Sequence, residues 1–232
     1  MTDVQRRVAR EIVVLWLVTL ILIRGVLWLE GAAGLPEFVR VLVPVLFMYA
    51  PVALCRWRGV DSWDYPLALP ALGDWPLWRE ALRLNAIAIA VVFVPFVLGY
   101  HLWHTTVFGH TLQWTWPSQP LQLIGYHLVF VAIPEEFFYR GYMQTRLDEV
   151  FAPRWRILGA DIGWGLVITC GLFAIGHSVV TFQWWHPFIV FPSLVFGWMR
   201  AKTGDVMAGA LFHAWSNITV GTLDTLYGVI PP

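Results

Sequence analysis

The sequence predicts an all-α bundle of about seven transmembrane helices whose N-terminus lies in the cytoplasm. Three observations support this prediction: the composition, the spacing of long apolar stretches, and the positions of the arginines. The chain has 232 residues, of which 58% are hydrophobic and only 13% are charged. A soluble domain has about 45–50% apolar and about 25% charged residues. With so few charges, much of the apolar surface has to face lipid. Fifteen basic residues balance fifteen acidic ones, so no basic excess indicates a nucleic-acid partner.

The apolar stretches give the number of helices. A helix needs about 20 apolar residues to cross the hydrocarbon core of a membrane. Such stretches, of which the sixth is the shortest, lie at about 12–29, 38–55, 84–102, 122–143, 160–180, 187–199 and 205–222. No linker or internal repeat divides the chain. Residues 1–232 are therefore predicted to form a single integral membrane domain in contact with membrane lipids.

The basic residues orient the predicted bundle. They fall in alternate loops, at Arg6, Arg7 and Arg10, at Arg56, Arg58, Arg79 and Arg83, at Arg146, Arg154 and Arg156, and at Arg200 and Lys202. The other loops are poor in Lys and Arg, and 103–120 has no charged residue. Cytoplasmic loops carry the excess of Lys and Arg in membrane proteins. The pattern therefore places the N-terminus in the cytoplasm and the C-terminus outside.

Two acids and a base lie within the fourth predicted span, at Glu135, Glu136 and Arg140. A charge near the bilayer centre costs about 2.5–3.5 kcal/mol on insertion scales, so these residues need partners or a function. Glu136 and Arg140 are four residues apart and share a helix face, which predicts that they pair. Glu135 is rotated by about 100° from Glu136 and stays free for chemistry. The alternative is a wholly structural polar network that holds helices together.

The fifth and seventh spans add further polar groups at a similar predicted depth. The fifth ends near His177, and the seventh contains His213 with Asn217 one helical turn further on the same face. A lone histidine within a membrane is more often a hydrogen-bonding residue between helices than a catalyst. The predicted depths of the three helices are compatible, with His213 somewhat deeper towards the cytoplasm, which favours a common site.

These residue types suit the hydrolysis of a peptide bond by water. Glu135 can accept a proton from water, and His177 can orient that water or share the proton. His213 and Asn217 can donate hydrogen bonds to the developing oxyanion. No serine or cysteine has an evident histidine partner, which disfavours an acyl-enzyme. A divalent metal such as zinc, bound by Glu135, His177 and His213, is the alternative, although the H-E-x-x-H helix motif is absent.

Three motifs resemble, in order and spacing, those of the CPBP intramembrane proteases. They are Glu135-Glu136-x-x-x-Arg140, Phe173-x-x-x-His177 and His213-x-x-x-Asn217. The resemblance covers about 120–222, the motif-bearing core, and the family includes the type II CAAX prenyl endopeptidases and immunity-associated proteins. It implies that Glu135 and His177 activate water and that His213 and Asn217 stabilise the oxyanion. It also implies that Glu136 and Arg140 hold the site together.

The resemblance implies an intramembrane endopeptidase that cleaves a substrate protein near a membrane-associated or C-terminal tail. Both a metal-dependent and a metal-free glutamate mechanism have been argued for the family, so the metal stays open. General likeness also suggests the myxosortase-like branch and a bacterial inner membrane. The alternative function is a non-enzymatic membrane immunity or scaffold protein with a structural polar core. A proton-relay transporter is a weaker hypothesis, because such proteins are often built from inverted repeats.

Overall fold

The computed structural model describes residues 1–62, 65 and 73–230, and within them the chain forms seven helices. They are α1 (Asp3–Ala33), α2 (Leu42–Arg58, preceded by a 3₁₀ turn at Glu37–Val41), α3 (Trp75–Val107), α4 (Pro120–Val150), α5 (Trp164–Val180), α6 (Val190–Thr203, preceded by a 3₁₀ turn at His186–Ile189) and α7 (Met207–Leu226). The predicted all-α bundle of about seven helices is confirmed. The other positions of the predicted domain 1–232 lie outside the described residues.

Four of the helical segments are long and apolar enough to cross a membrane. They are α1, the segment Glu37–Arg58, α3 and α4, while α5 is apolar but shorter. These segments identify an integral membrane protein. In α1, for example, only one side of the helix is buried, and Val14, Val18 and Ile21 on the other side are exposed. Such an exposed apolar face fits a helix that contacts lipid.

A short hairpin corrects the predicted start of the fifth span. Residues 160–180 were expected to be one helix, but α5 begins only at Trp164. Before it, β1 (Trp155–Ile157) pairs antiparallel with β2 (Ala160–Ile162). The turn between them is Leu158-Gly159, both with positive φ (50° and 78°). Two such residues form the turn type that fits a tight hairpin, and hydropathy alone does not reveal it.

The loops rich in arginine meet at one end of the bundle, which we call the arginine-rich end. There Glu11 of α1 accepts hydrogen bonds from Arg58 of α2 (3.3 Å) and Arg146 of α4 (3.3 Å), and Lys202 donates to the carbonyl of Gly159 (3.2 Å). The opposite, arginine-poor end contains the loops after α1, α3, α5 and α7.

Helix α4 runs through the middle of the bundle and carries the first of the three motifs. It packs against α2 on one side and α7 on the other, and its inner part also contacts α5 and α6. Residues 136–144, from Glu136 to Gln144, are all buried. The polar groups of the first motif therefore face protein on several sides.

Candidate active site

Two stretches of α4 are wound as π-helix, Tyr126–Ala132 and Phe137–Gln144. They flank the single α-helical turn Ile133–Glu136. Pro134 within this turn has no N–H to donate, which fits a local departure from the regular α-helical bonding. Wide turns of this kind occur often at functional sites.

Arg140 is fully buried and pairs with Glu136, which is equally buried. Both side chains have an exposed fraction of 0%, and Arg140 Nη1 donates to Glu136 Oε1 over 2.9 Å. Its Nη2 donates to the hydroxyl of Ser193 on α6 over 2.6 Å. The guanidinium carbon also lies 4.4 Å from the centre of the Phe173 ring, a cation–π distance. Arg140 therefore links α4 to α5 and α6.

His213 of α7 contacts both glutamates of the first motif. Its Nδ1 lies 3.0 Å from Glu136 Oε1, the oxygen that also accepts from Arg140. Because a carboxylate paired with arginine accepts hydrogen bonds, Nδ1 carries the proton and donates. The other ring nitrogen, Nε2, lies 3.9 Å from Glu135 Oε2. Glu136 thus fixes the ring of His213 so that its second nitrogen points at Glu135.

His177 of α5 approaches Glu135 in the same way. Its Nδ1 lies 2.9 Å from the carbonyl oxygen of Phe173, and a carbonyl only accepts, so Nδ1 carries the proton. Its Nε2 then faces Glu135 Oε2 at 3.9 Å. A direct hydrogen bond would measure about 2.7–3.2 Å. Two imidazole nitrogens therefore surround one carboxylate oxygen at a distance that leaves room for a bridging group.

A cavity of about 770 Å³ opens beside this pair. Glu135, Tyr139 and His177 lie in its wall, together with apolar side chains of α1 and α2. The side chain of Glu135 is 14% exposed and that of His177 is 30% exposed, whereas His213 is 4% exposed. Glu135 and His177 are therefore the predicted site residues that a molecule in the cavity would touch first.

The structure brings five of the six predicted residues into one network and leaves Asn217 at its edge. Asn217 is half-buried on α7, one turn beyond His213, and is not in the cavity wall. Two other contributors were not predicted: Ser193, which holds Arg140, and Tyr139 in the cavity wall. Tyr139 follows Glu135 by four residues, so helical spacing could have revealed it. Ser193 carries no such signal.

Comparison with known protein families gives a match in this region. Residues 116–219 match the family described as type II CAAX prenyl endopeptidase Rce1-like. The matched segment, a little under half of the chain, is similar to that family. The match contains all three motifs and confirms the resemblance to the CPBP proteases. Comparisons with curated proteins and with solved structures give no match. The Rce1-like family is a protease family, which supports a peptidase that is associated with the membrane and acts on a protein.

The residues around Glu135 do not form a ready zinc site. In a tetrahedral site with bonds of about 2.0–2.1 Å, two donor atoms lie about 3.4 Å apart. Both distances from histidine Nε2 to Glu135 Oε2 are 3.9 Å. Within the part of the chain that the structure describes, no group of three or more His, Cys, Asp or Glu could hold a metal ion.

Proposed function

We propose that this chain is an intramembrane endopeptidase of the bacterial inner membrane, with residues 1–232 as one membrane domain. It hydrolyses a peptide bond near a membrane-associated or C-terminal tail of a substrate protein. The observation that carries the proposal is that Glu135 Oε2 lies 3.9 Å from the Nε2 atoms of both His177 and His213, at the wall of a cavity. A glutamate between two histidines beside a cavity suits water-mediated hydrolysis.

Water activation is assigned to Glu135 and His177. With Nδ1 protonated, Nε2 of a neutral His177 accepts a hydrogen bond, as does the carboxylate of Glu135. One water between them donates its two protons to these two acceptors, and its lone pair then points towards the substrate carbonyl. Glu135 takes the proton as the water attacks and passes it to the leaving amine.

Oxyanion stabilisation is assigned to His213, with Asn217 as a second donor. Two carboxylates and one guanidinium leave one net negative charge in a buried site, which is costly. Since Nδ1 of His213 donates to Glu136 over 3.0 Å, the role assigned here to Nε2 requires a proton on that nitrogen as well, and the positive ring would offset that charge. The protonated ring then presents Nε2–H beside Glu135. A donor held in place before the reaction lowers the barrier most in a site that excludes water.

The proposal is tested with Glu135→Gln, compared with Glu149→Gln as the matched control. Both residues lie on α4, but the side chain of Glu149 is 42% exposed and bonds only to Arg146 among the described residues. Loss of a general base slows a reaction by about 10²–10⁴-fold, so Glu135→Gln should abolish processing of membrane-protein tails, measured by mass spectrometry. Glu149→Gln should retain it.

Both variants should reach wild-type levels in the membrane. Full processing by Glu135→Gln at a normal level would contradict the peptidase and favour the non-enzymatic immunity or scaffold protein.

A further inference from the structure

The cavity beside Glu135 and His177 lies in one half of the bundle. Its wall is built from residues 20–27 of α1, 37–47 before and within α2, 126–139 of α4, and 176–181 at the end of α5. Helices α1 and α5 run towards the arginine-poor end, and the wall residues lie in the later part of each. Helices α2 and α4 run away from that end, and the wall residues lie just before or in the earlier part of each. All four contributions therefore come from the arginine-poor half.

Aromatic rings close the cavity towards the arginine-rich end. Phe47 packs edge-on against Phe138, with ring centres 5.3 Å apart, and lies 6.0 Å from Tyr139. Phe138 and Tyr139 are 0% and 2% exposed. This layer joins α2 to α4 directly below the cavity, so a molecule in the cavity does not reach the arginine-rich end along this path.

A polar cluster around Glu11 forms a second barrier further along the same helices. Glu11 Oε1 accepts from the hydroxyl of Tyr142 over 2.7 Å as well as from Arg58 and Arg146, each over 3.3 Å. Donors from α2 and α4 thus meet on one carboxylate of α1. Three of the helices that line the cavity, α1, α2 and α4, are therefore tied together at the arginine-rich end.

The wall of the cavity is apolar, and its charged groups are at the mouth and the base. Ile23, Val43 and Phe130 are typical of the wall. Glu37 and Arg40 lie at the mouth, where Arg40 Nε pairs with Glu30 over 2.8 Å, and Glu135 and His177 lie at the base. A volume of about 770 Å³ is within the range of about 300–1,000 Å³ for sites that enclose a ligand.

We infer that this cavity is a substrate groove that opens at the arginine-poor end and takes an extended apolar segment of a substrate protein. The inference rests on the proposed function and adds the side of access, because the arginine-rich loops place the closed end in the cytoplasm. The substrate therefore reaches Glu135 from the outer face of the membrane. The apolar wall binds the side chains next to the cleaved bond, and the charged mouth stays in water.

The test uses the accessibility of single cysteines in the full-length protein. Val43→Cys places a thiol in the cavity wall, whereas Val45→Cys, two residues later on α2, lies outside the wall at a position that is 40% exposed. The natural cysteines, Cys55 and Cys170, are buried. A membrane-impermeant thiol reagent is added to spheroplasts, which expose the outer face, and to inverted vesicles, which expose the inner face.

The expected result is labelling of Val43→Cys from the outer face. Because a membrane-impermeant reagent enters an open groove from water but does not reach a thiol that faces lipid, Val43→Cys should react about tenfold faster than Val45→Cys. A label in the groove should displace the substrate and slow cleavage by about a hundredfold, while treated Val45→Cys should cleave normally. Labelling of Val43→Cys only from the inner face, or from neither face, would overturn the inference.

The two experiments can refute the peptidase and the outward-opening groove independently of each other. If Glu135→Gln stops processing but Val43→Cys is not labelled from outside, the peptidase stands and the outer groove is wrong. If Val43→Cys is labelled from outside but Glu135→Gln still processes normally, the cavity opens outward but the peptidase is wrong.

Discussion

Replacing Arg140 with methionine should strongly destabilise the protein, because it leaves the buried carboxylate of Glu136 without its arginine. The change keeps an unbranched side chain but removes the donors to Glu136 (2.9 Å) and Ser193 (2.6 Å). Glu136, which is 0% exposed, then keeps only His213 as a partner. Removing one member of a buried ion pair costs about 3–5 kcal/mol, because the other charge remains buried. We expect Arg140→Met to lower the free energy of unfolding by that amount.

The matched control is Arg146→Met on the same helix. The side chain of Arg146 is 14% exposed, and its distance to Glu11 is 3.3 Å. Glu11 keeps Arg58 and Tyr142 as donors, so no buried charge is left unpaired, and this variant should lower the free energy of unfolding by only about 0.5–1.5 kcal/mol. Reversible unfolding in mixed micelles of SDS and a mild detergent gives both free energies.

A double variant separates a stranded charge from a loss of packing. If the cost of Arg140→Met comes from the unpaired carboxylate, then Glu136→Gln/Arg140→Met should be more stable than Arg140→Met alone, because it buries no unpaired glutamate. The reasoning is refuted if Arg140→Met unfolds like Arg146→Met, or if the double variant is no more stable than Arg140→Met.

Two further predictions concern the packing around this network. A methyl group at Gly209 of α7 would lie 3.1 Å from Glu136 Oε2, whereas Gly221 on the same helix has open space. Gly221→Ala should therefore raise the free energy of unfolding by about 0.5–1 kcal/mol, the usual gain for this change within a helix. Gly209→Ala should lower the free energy of unfolding. Equal gains for the two variants would contradict the close approach of Gly209 to Glu136. Glu11→Ala should lower the free energy of unfolding by about 1–3 kcal/mol, because Tyr142 and two arginines lose their acceptor. Unfolding in the same mixed micelles measures this change. An unchanged free energy of unfolding would show that the polar cluster does not hold the helices together.

Hydropathy was sufficient to predict the number and order of the helices. It works because lipid selects for long apolar segments. The shorter helices α5 and α6 lie near the limit of this signal, and the hairpin before α5 shows no such signal. Its turn depends on the positive φ angles of Leu158 (50°) and Gly159 (78°), which are backbone properties that apolar periodicity does not encode.

The site was predictable as a set of residues but not as a set of contacts. Spacing along one helix was enough to predict the contact between Glu136 and Arg140, because both lie on α4. The contacts of His213 with Glu136 at 3.0 Å and of Arg140 with Ser193 at 2.6 Å depend on how far α6 and α7 slide along α4. That register comes from packing between helices, and no motif in α6 indicates it.

The consecutive glutamates of the first motif show how one helix can supply both a structural and a reactive carboxylate. Neighbouring residues of a helix point in directions that differ by about 100°. Two consecutive acids can therefore both be buried, each against different neighbours, only when protein packs against two sides of the helix. Here Glu136 faces Arg140 and α7, whereas Glu135 faces the cavity between α1, α2 and α5. Arg140 compensates one carboxylate fully and leaves the second in need of a proton or a positive partner. His213 touches Glu136 at 3.0 Å and approaches Glu135 to 3.9 Å, so in the proposed mechanism it is the positive partner beside which Glu135 stays ionised. In this arrangement, the residues that keep the fold neutral also prepare Glu135 to act as a base.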